Sequence, residues 1–524
     1  MSRKKTVQQQ PIPAPQQGAL TWDPLCAGML ALLVYIATLG HSAGGKFGDS
    51  LELVAAGASL GVPHAPGYPL YTLLAHLFSF LPIMSVTARV HLLNAVLHAA
   101  VAALMVWTAG RLTRSRAGSW AAGLLLAFST DFWYTSLLAD TMALTNLFAM
   151  ALLALAVSGA RWSLPAFFLV LGAAVGHHHT VVLVLPGLAF LLWPKIREQG
   201  ARPFLWSGLA AVGYALSYGP VIPIALSDPP INWGRMHDFK SFWRLMTRAD
   251  FGWSMAQFSG KPLTPSDRMI DVGLFFKSVW QGFTPVGAVL AGLGLIRAWK
   301  AGREGLAVLA WLVVAGPVFL FYVGLPPMDE ADMAMLGRFF FLPALAAAML
   351  AAWGALWMEE RARSGSALLR NGVAALLSLC WLLPLGLHWK SVSLRQHHFM
   401  DRYLKDLVGS VEPDAIVLAS GDGTFFGGYY ADVVMGRMGR RIWIDPKKMN
   451  FPWYLDELQA RWPELKLPPR MGGGIHFSRF KELLGTVLST GRPVYIIADY
   501  LITSPEITDA FSFWPAGLFM RVGR

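Results

Sequence analysis

The segment 48–71 reads GDSLELVAAGASLGVPHAPGYPLY and follows an apolar run long enough to span a bilayer. It opens with two carboxylates, Asp49 and Glu52, although charged side chains are costly next to lipid and rare there. The two acids are three residues apart, so on a helix their side chains share one face, about 5–6 Å apart at Cβ. The segment therefore raises the question of what an acidic pair does at the end of a membrane span.

Composition identifies a lipid bilayer as the surroundings of this segment. Of the 524 residues, 55% are hydrophobic and only 14% are charged, and the mean hydropathy is +0.47. These values are too apolar for a soluble globular protein. The net charge of +12 does not indicate nucleic acid, because Lys and Arg fall mostly in short loops between apolar runs, where they set topology. We predict a polytopic membrane protein without a nucleic-acid partner.

A window of about 20 residues predicts eleven membrane spans. They lie near 23–41, 88–110, 118–135, 137–158, 163–177, 179–194, 204–226, 272–297, 305–325, 338–357 and 367–388. If the N-terminus is cytoplasmic, alternation of the spans places the Lys and Arg of every short loop on that side. We therefore predict three parts. They are a disordered cytoplasmic tail (1–20), a transmembrane domain (21–388) with extracytoplasmic loops 42–87 and 227–271, and an extracytoplasmic domain (389–524).

The last part has the pattern of a small α/β domain. Strand-like runs (AIVLAS, RRIWID, PVYIIADY) alternate with helical ones (FPWYLDELQARWP, FSRFKELLGTVL). The run SGDGTFFGG follows a predicted strand, but it lacks a full nucleotide-binding pattern. We expect acceptor recognition or a lid over the active cleft, with Asp422, Tyr429 and Tyr430 as the first positions to test.

Local structure can also be predicted for the opening segment. The spacing of the apolar residues after Glu52 predicts an amphipathic helix on the membrane surface, with Asp49 as its N-cap. Three prolines then predict an extended, rigid turn around His64.

Several motifs resemble one family. The opening segment is similar to the signature GDSGEL … G.aHPPGYPLY of a bacterial and animal membrane-protein family long of unknown function. That family includes an animal endoplasmic-reticulum O-mannosyltransferase for plexin-type extracellular domains. Further matches follow in the same order: GHHHT (176–180), INWGRMHDFKSFWRLMTRADFGW (231–253), LGRFFFLP (336–343), SGDGTFFGGYYADVVMGR and FPWYLDEL. Leu51, Ala65 and the shortened GDGTFF depart from the family pattern, but both acids and His64 are retained.

The resemblance implies a mainly α fold of the GT-C glycosyltransferase type. In this fold an acid on the first extracytoplasmic loop meets a polyprenyl-phosphate sugar donor. The implied activity is transfer of a sugar, mannose in the best-known member, to Ser/Thr hydroxyls of a secreted or membrane protein. Asp49 is the implied general base, Glu52 would position the acceptor or share a proton with Asp49, and single displacement would invert the anomeric centre. We expect a bacterial inner-membrane location.

The departing phosphate needs cations, and arginine suits it because its planar fork takes two oxygens at once. Arg338, at the outer end of the tenth span, and Arg248, in the long outer loop, are the predicted phosphate ligands, with Arg244 as a further candidate. His64 is predicted to donate to a sugar or phosphate oxygen. The remaining predicted substrate contacts are Tyr68, His178, His179, Asn232 and Trp233.

No metal or other cofactor is expected. Three consecutive histidines, 177–179, point about 100° apart on a helix, so they cannot all bind one ion. Arginine and histidine can neutralise a monophosphate leaving group without a metal. A site made by His178 or His179 with Asp49 is the alternative.

Two other functions remain open from the sequence. One is a GT-C transferase that glycosylates a lipid or glycan, which the residues do not distinguish from protein glycosylation. The other is a polytopic lipid or sugar transporter, although transporters more often show internal repeats and charges at mid-span.

Overall fold

The computed structural model describes residues 22–44, 48–251, 263–325, 327, 330–467, 477–497 and 504–523. The predicted cytoplasmic tail lies outside these ranges. The described chain forms a helical domain followed by a small α/β domain. Serine side chains accept backbone N–H groups at the start of several helices, as Ser85 and Ser115 do.

The helical domain contains twenty α-helices within the described ranges. They are α1 (Asp23–Thr38), α2 (Asp49–Ser59), α3 (Pro69–Ser79), α4 (Val86–Thr113), α5 (Arg116–Ala127), α6 (Thr130–Ser136), α7 (Met142–Val157), α8 (Ser163–His177), α9 (Leu185–Arg197), α10 (Arg202–Tyr218), α11 (Val221–Leu226), α12 (Phe239–Met246), α13 (Pro265–Gly282), α14 (Thr284–Trp299), α15 (Arg303–Val313), α16 (Phe319–Val323), α17 (Glu330–Gly337), α18 (Phe341–Ala362), α19 (Ala367–Leu379) and α20 (Leu382–Val392).

Six helical stretches of the described chain are long and apolar enough to cross a membrane, or up to seven if one bent pair counts as a span. Three shorter apolar helices, α1, α7 and α8, coincide with further predicted spans. The count of eleven stays a prediction.

The helix is broken within the predicted span 272–297. The chain turns by 118° between α13 and α14. Thr284 adopts φ 61° and is followed by Pro285, which has no backbone N–H to continue the helix.

The α/β domain carries a five-stranded sheet in the order β2-β1-β3-β5-β4. Its strands are β1 (Ile416–Leu418), β2 (Ile442–Ile444), β3 (Val494–Ile497), β4 (Ser512–Ala516) and β5 (Phe519–Gly523). β1 pairs in parallel with β2 and β3, whereas β5 is antiparallel to β3 and β4. The helices are α21 (Phe399–Gly409), α22 (Asp422–Val433), α23 (Pro452–Arg461), α24 (Phe477–Leu488) and α25 (Pro505–Thr508).

Helix α2, which carries both acids, is buried between the two domains. It packs against α3 and α4 on one side and against α22 on the other. The prediction of a helix lying on the membrane surface is therefore wrong, because the α/β domain covers it. The fit is close: a Cβ at Gly48 would come within 2.9 Å of Asp422 Cβ. One hydrophobic core, including Leu51 and Phe425, continues from α2 into the α/β domain.

Candidate active site

Asp49 is the first residue of α2 and points into an ion pair. Arg338 Nη1 donates to Asp49 Oδ2 at 2.5 Å. His64 Nε2 lies 3.7 Å from the same oxygen. The expected N-cap role of Asp49 is wrong, because Gly48 occupies that position and no side chain caps the helix. The Asp49 carboxylate is therefore held by Arg338 and not by the N-terminus of its own helix.

Glu52 lies one turn further along α2 and holds His64. Its fully buried carboxylate pairs with His64 Nδ1 through Oε2 at 2.5 Å and accepts from the His64 backbone N through Oε1 at 2.8 Å. The turn that carries His64 is anchored on the segment 231–233, since Val62 N donates to Ile231 O and Trp233 N donates to Val62 O. His64 is thus fixed with one ring nitrogen on Glu52 and the other facing Asp49.

Burial and neighbouring charges shift the pKa values of Asp49, Glu52 and His64 in opposite directions. Burial alone would raise the pKa of Asp49, but Arg338 and His64 outweigh it and hold the pKa below its usual value. For Glu52, burial prevails over the attraction of His64 and raises the pKa. Burial would lower the pKa of His64, yet Glu52 and Asp49 raise it overall. A proton is therefore favoured on the Glu52–His64 pair, while Asp49 is ionised.

A third acid, Asp140, reaches the same arginine. Arg338 Nε lies 3.8 Å from Asp140 Oδ2, and Asp140 Oδ1 accepts from Met142 N at the start of α7. Asn94 Nδ2 donates to the Asp140 carbonyl at 2.9 Å and so holds this turn. Asp140 is not among the predicted site residues, although an acid inside an apolar run was a usable signal.

Arg248 also approaches the cluster. Its guanidinium lies 5.4 Å from the centre of the Phe251 ring, and the ring of Phe251 is 6.3 Å from that of His64. Within the described part of the chain, Arg248 Nε is buried and has no hydrogen-bond partner. Arg244, in contrast, is engaged in an ion pair with Asp250.

The predicted histidines divide into two groups. The Tyr68 ring stacks on His178 at 5.8 Å and lies 5.4 Å from His64. His177 is also in ring contact with Tyr68, whereas His179 is exposed. Of the predicted contacts, Tyr68 and His178 therefore lie at the site, and His179 lies at the surface. Across the described ranges, no group of three or more His, Cys, Asp or Glu could hold a metal ion.

The two predicted outer-loop contacts differ in their surroundings. Trp233 reaches the site, with its ring 6.3 Å from His64 and 5.0 Å from Trp453 of the α/β domain. Asn232 donates through Nδ2 to Ala225 O at 2.9 Å, so its amide serves its own loop.

Lys448 was missed by the sequence analysis, because a charge run such as DPKK is usually a solvated surface. In the structure it is buried, and its ammonium lies over the Phe425 and Trp233 rings.

The chain is similar in sequence to known protein O-mannosyl-transferases. Residues 49–201 match a family model described as the N-terminal domain of protein O-mannosyl-transferase TMEM260. TMEM260 of Mus musculus is 27% identical over 481 residues, which cover 87% of this chain and 68% of that protein. The Dictyostelium discoideum tmem260 protein is 22% identical over 291 residues, covering 50% and 35% respectively.

The fold has solved counterparts. The apo structure of ArnT from Cupriavidus metallidurans superposes with a TM-score of 0.60 at 14% identity, covering 95% of this chain and 96% of ArnT. Its complex with undecaprenyl phosphate gives 0.57 at 12% identity, covering 96% and 98%. The chain has the fold of the GT-C glycosyltransferases. The predicted fold class and the predicted enzyme class, a glycosyltransferase, are confirmed.

Proposed function

We propose that the glycosyltransferase moves mannose from a polyprenyl-phosphate donor to hydroxyl groups of an extracytoplasmic protein, with Asp49 as general base. The observation that carries this proposal is the Asp49–Arg338 pair. Their side chains are 2.5 Å apart and remain 17% and 21% exposed, so a carboxylate and a forked cation lie side by side and are both partly accessible. The names of the relatives support mannose and a protein acceptor, and the undecaprenyl phosphate bound by ArnT supports the donor class.

The chemistry is a single displacement. The acceptor hydroxyl oxygen attacks C1 of the sugar, and its proton passes to Asp49 Oδ. The bond between C1 and the phosphate oxygen breaks on the opposite face, so the configuration at C1 inverts. The polyprenyl phosphate leaves with its extra negative charge, which the arginines stabilise. No metal or other cofactor is part of this proposal.

Arg338 couples the basicity of Asp49 to the departure of the phosphate. While it is bound to Asp49, it keeps the pKa of that acid low and makes it a poor base. A departing phosphate competes for the guanidinium, which can bind two oxygens at once. As Arg338 turns to the phosphate, the pKa of Asp49 rises, so basicity increases when it is needed. Asp140 holds the other side of Arg338 during this exchange.

The neighbouring groups have supporting roles in the proposal. Arg248, whose buried Nε lacks a partner among the described residues, supplies a second cation for the phosphate. Protonated His64 donates through Nε2 to a sugar or phosphate oxygen. Glu52 acts through His64 as a positioning residue. Tyr68 and His178 form the adjoining wall.

The acceptor reaches the cleft from the aqueous side, because the isoprenoid chain keeps the donor in the bilayer. A groove of about 400 Å³ lies between the segment 234–244 and α23. Its lining includes Arg235, Asp238 and Trp453, and the last of these packs on Trp233 beside His64. We assign the entry of a polypeptide acceptor to this groove.

The test is transfer of radiolabelled mannose from polyprenyl-phosphate mannose by purified protein in liposomes that contain candidate acceptors. We expect Asp49→Asn to lose transfer while it still binds the donor, and Glu506→Gln, an exposed acid in α25, to behave as the native chain. Label in the protein fraction supports the proposed acceptor, whereas label in a lipid or glycan product that is separated from the unreacted donor replaces it with a lipid or glycan. Equal transfer by Asp49→Asn excludes Asp49 as the base, and no transfer by the native chain refutes the donor.

A further inference from the structure

The α/β domain contributes one buried cation to the neighbourhood of the site. Lys448 is 7% exposed, and its Nζ lies 3.4 Å from the centre of the Phe425 ring, 4.5 Å from Phe426 and 5.1 Å from Trp233. The two phenylalanines belong to α22, but Trp233 belongs to the outer loop of the helical domain. The ammonium therefore joins the two domains through cation–π contacts.

The Lys448 ammonium makes few polar contacts with the described residues. Its nearest carboxylate oxygen, Asp445 Oδ2, is 3.6 Å away, and among the described residues Nζ has no hydrogen-bond partner. A buried ammonium with unmatched donors destabilises a fold, and an apolar side chain of similar length would be expected to pack there as well or better. Such a local conflict is typical of a functional position.

A short chain of contacts connects Lys448 to the reacting groups. Trp233 packs edge-on against the ring of His64 at 6.3 Å, and His64 joins Glu52 and Asp49. The charged groups that face Lys448 are Asp445, Asp422 and Glu52, so its charge also acts on Glu52 directly. Glu52 in turn is faced by His64, Asp49 and Lys448.

We propose that Lys448 is a positioning residue for the transfer reaction. By holding Trp233 against the α/β domain and placing a positive charge near Glu52, it fixes the Glu52–His64 pair beside Asp49. Transfer then requires the α/β domain to be docked. The inference rests on the proposed function, because it takes the Asp49 cluster as the place of transfer.

Three variants of the full-length protein test this role in the liposome assay. Lys448→Met keeps the length of the side chain and removes its charge, Lys448→Arg keeps a charge, and Lys447→Met alters the exposed neighbouring lysine as a matched control. We expect Lys448→Met to lower kcat about 10-fold to 100-fold, the scale seen when a catalytic geometry is displaced, with the donor KM nearly unchanged. Its Tm should equal or exceed that of the native chain.

The pH profile gives a second readout. Without the positive charge, Glu52 holds its proton to higher pH, so the acid limb of Lys448→Met should move to higher pH. Lys448→Arg should return the acid limb to the pH of the native chain, and Lys447→Met should have the same profile as the native chain. The proposal is overturned if activity falls only in step with Tm, or if the limb does not move. Absence of transfer by the native protein would instead refute the proposed function, so the two failures are distinguishable.

Discussion

At the scale of single residues, Arg338 is the group on which the site depends. It joins Asp49 to Asp140 and must also bind the leaving phosphate in the proposed reaction. A lysine at this position would keep the charge but would lose the fork that reaches both acids.

We therefore predict that Arg338→Lys lowers kcat about 100-fold, which is the size of effect for loss of one well-placed electrostatic group. Single-turnover transfer of labelled mannose measures it. Arg297→Lys is the matched control, because Arg297 is also ion-paired, with Glu360. Equal losses in the two variants would contradict a special role for Arg338.

Replacement of Asp140 should shift the pH profile of transfer in a defined direction. Asp140→Asn keeps the acceptor for Met142 N but removes a negative charge from beside Arg338. The less neutralised arginine should lower the pKa of Asp49 further, in the direction it is already shifted. The acid limb has two steps, and the lower one, where Asp49 rather than Glu52 gains its proton, should move to lower pH while the plateau rate falls. An unmoved limb would separate Asp140 from the reaction.

The sequence revealed Asp49, Glu52 and His64 because one short motif contains them all. It did not reveal that Arg338 and Asp140 meet Asp49, since those contacts join distant parts of the chain. Lys448 was hidden for a different reason: only the packing of two domains turns a charge in a polar run into a buried cation.

At the scale of elements, α2 is the helix whose placement the sequence misjudged. Its apolar spacing was recognised, but its second neighbour, α22, lies far along the chain. The contact of α2 with α3 on its other side is close, because a Cβ at Gly57 would come within 2.8 Å of Ala75 Cβ.

We predict that Gly57→Ala destabilises the protein by about 1–3 kcal/mol, because α2 and α3 must separate to admit the methyl group. Gly273→Ala, a helical glycine in α13 with nothing within 4 Å of its added Cβ, should be neutral or stabilising by about 0.5–1 kcal/mol. Thermal unfolding in detergent compares the two. Because α2 carries both acids, transfer should fall in Gly57→Ala and not in Gly273→Ala. A stable and fully active Gly57→Ala variant would show that α2 and α3 adjust to the added methyl group.

At the scale of the whole molecule, the basic loops predicted for the cytoplasmic side are joined to one another. Arg116 pairs with Asp23, and Ser115 bonds to Glu359. Arg297 pairs with Glu360 in the same region of the chain as Glu359. Asp49 and Glu52 lie instead on the loop 42–87, which the same alternation assigns to the other side.

The orientation itself remains a prediction and can be measured. In a background with Cys26 and Cys380 replaced by alanine, we introduce Ser364→Cys, on an exposed loop predicted to be cytoplasmic, or Glu506→Cys in the α/β domain. In intact cells, a membrane-impermeant thiol reagent should label position 506 at once and position 364 only after lysis. The reverse pattern would invert the topology.

The burial of α2 beneath α22 has a consequence for biogenesis. The residues that cover and complete the site, Asp422 and Lys448, are synthesised long after the helix that bears Asp49. A nascent chain inserted into the membrane therefore holds its acidic pair, but not the groups that order it, until the last domain has been translocated and folded. We expect the transferase to be inactive until its synthesis is complete, so the incomplete chain does not hydrolyse the lipid-linked sugar.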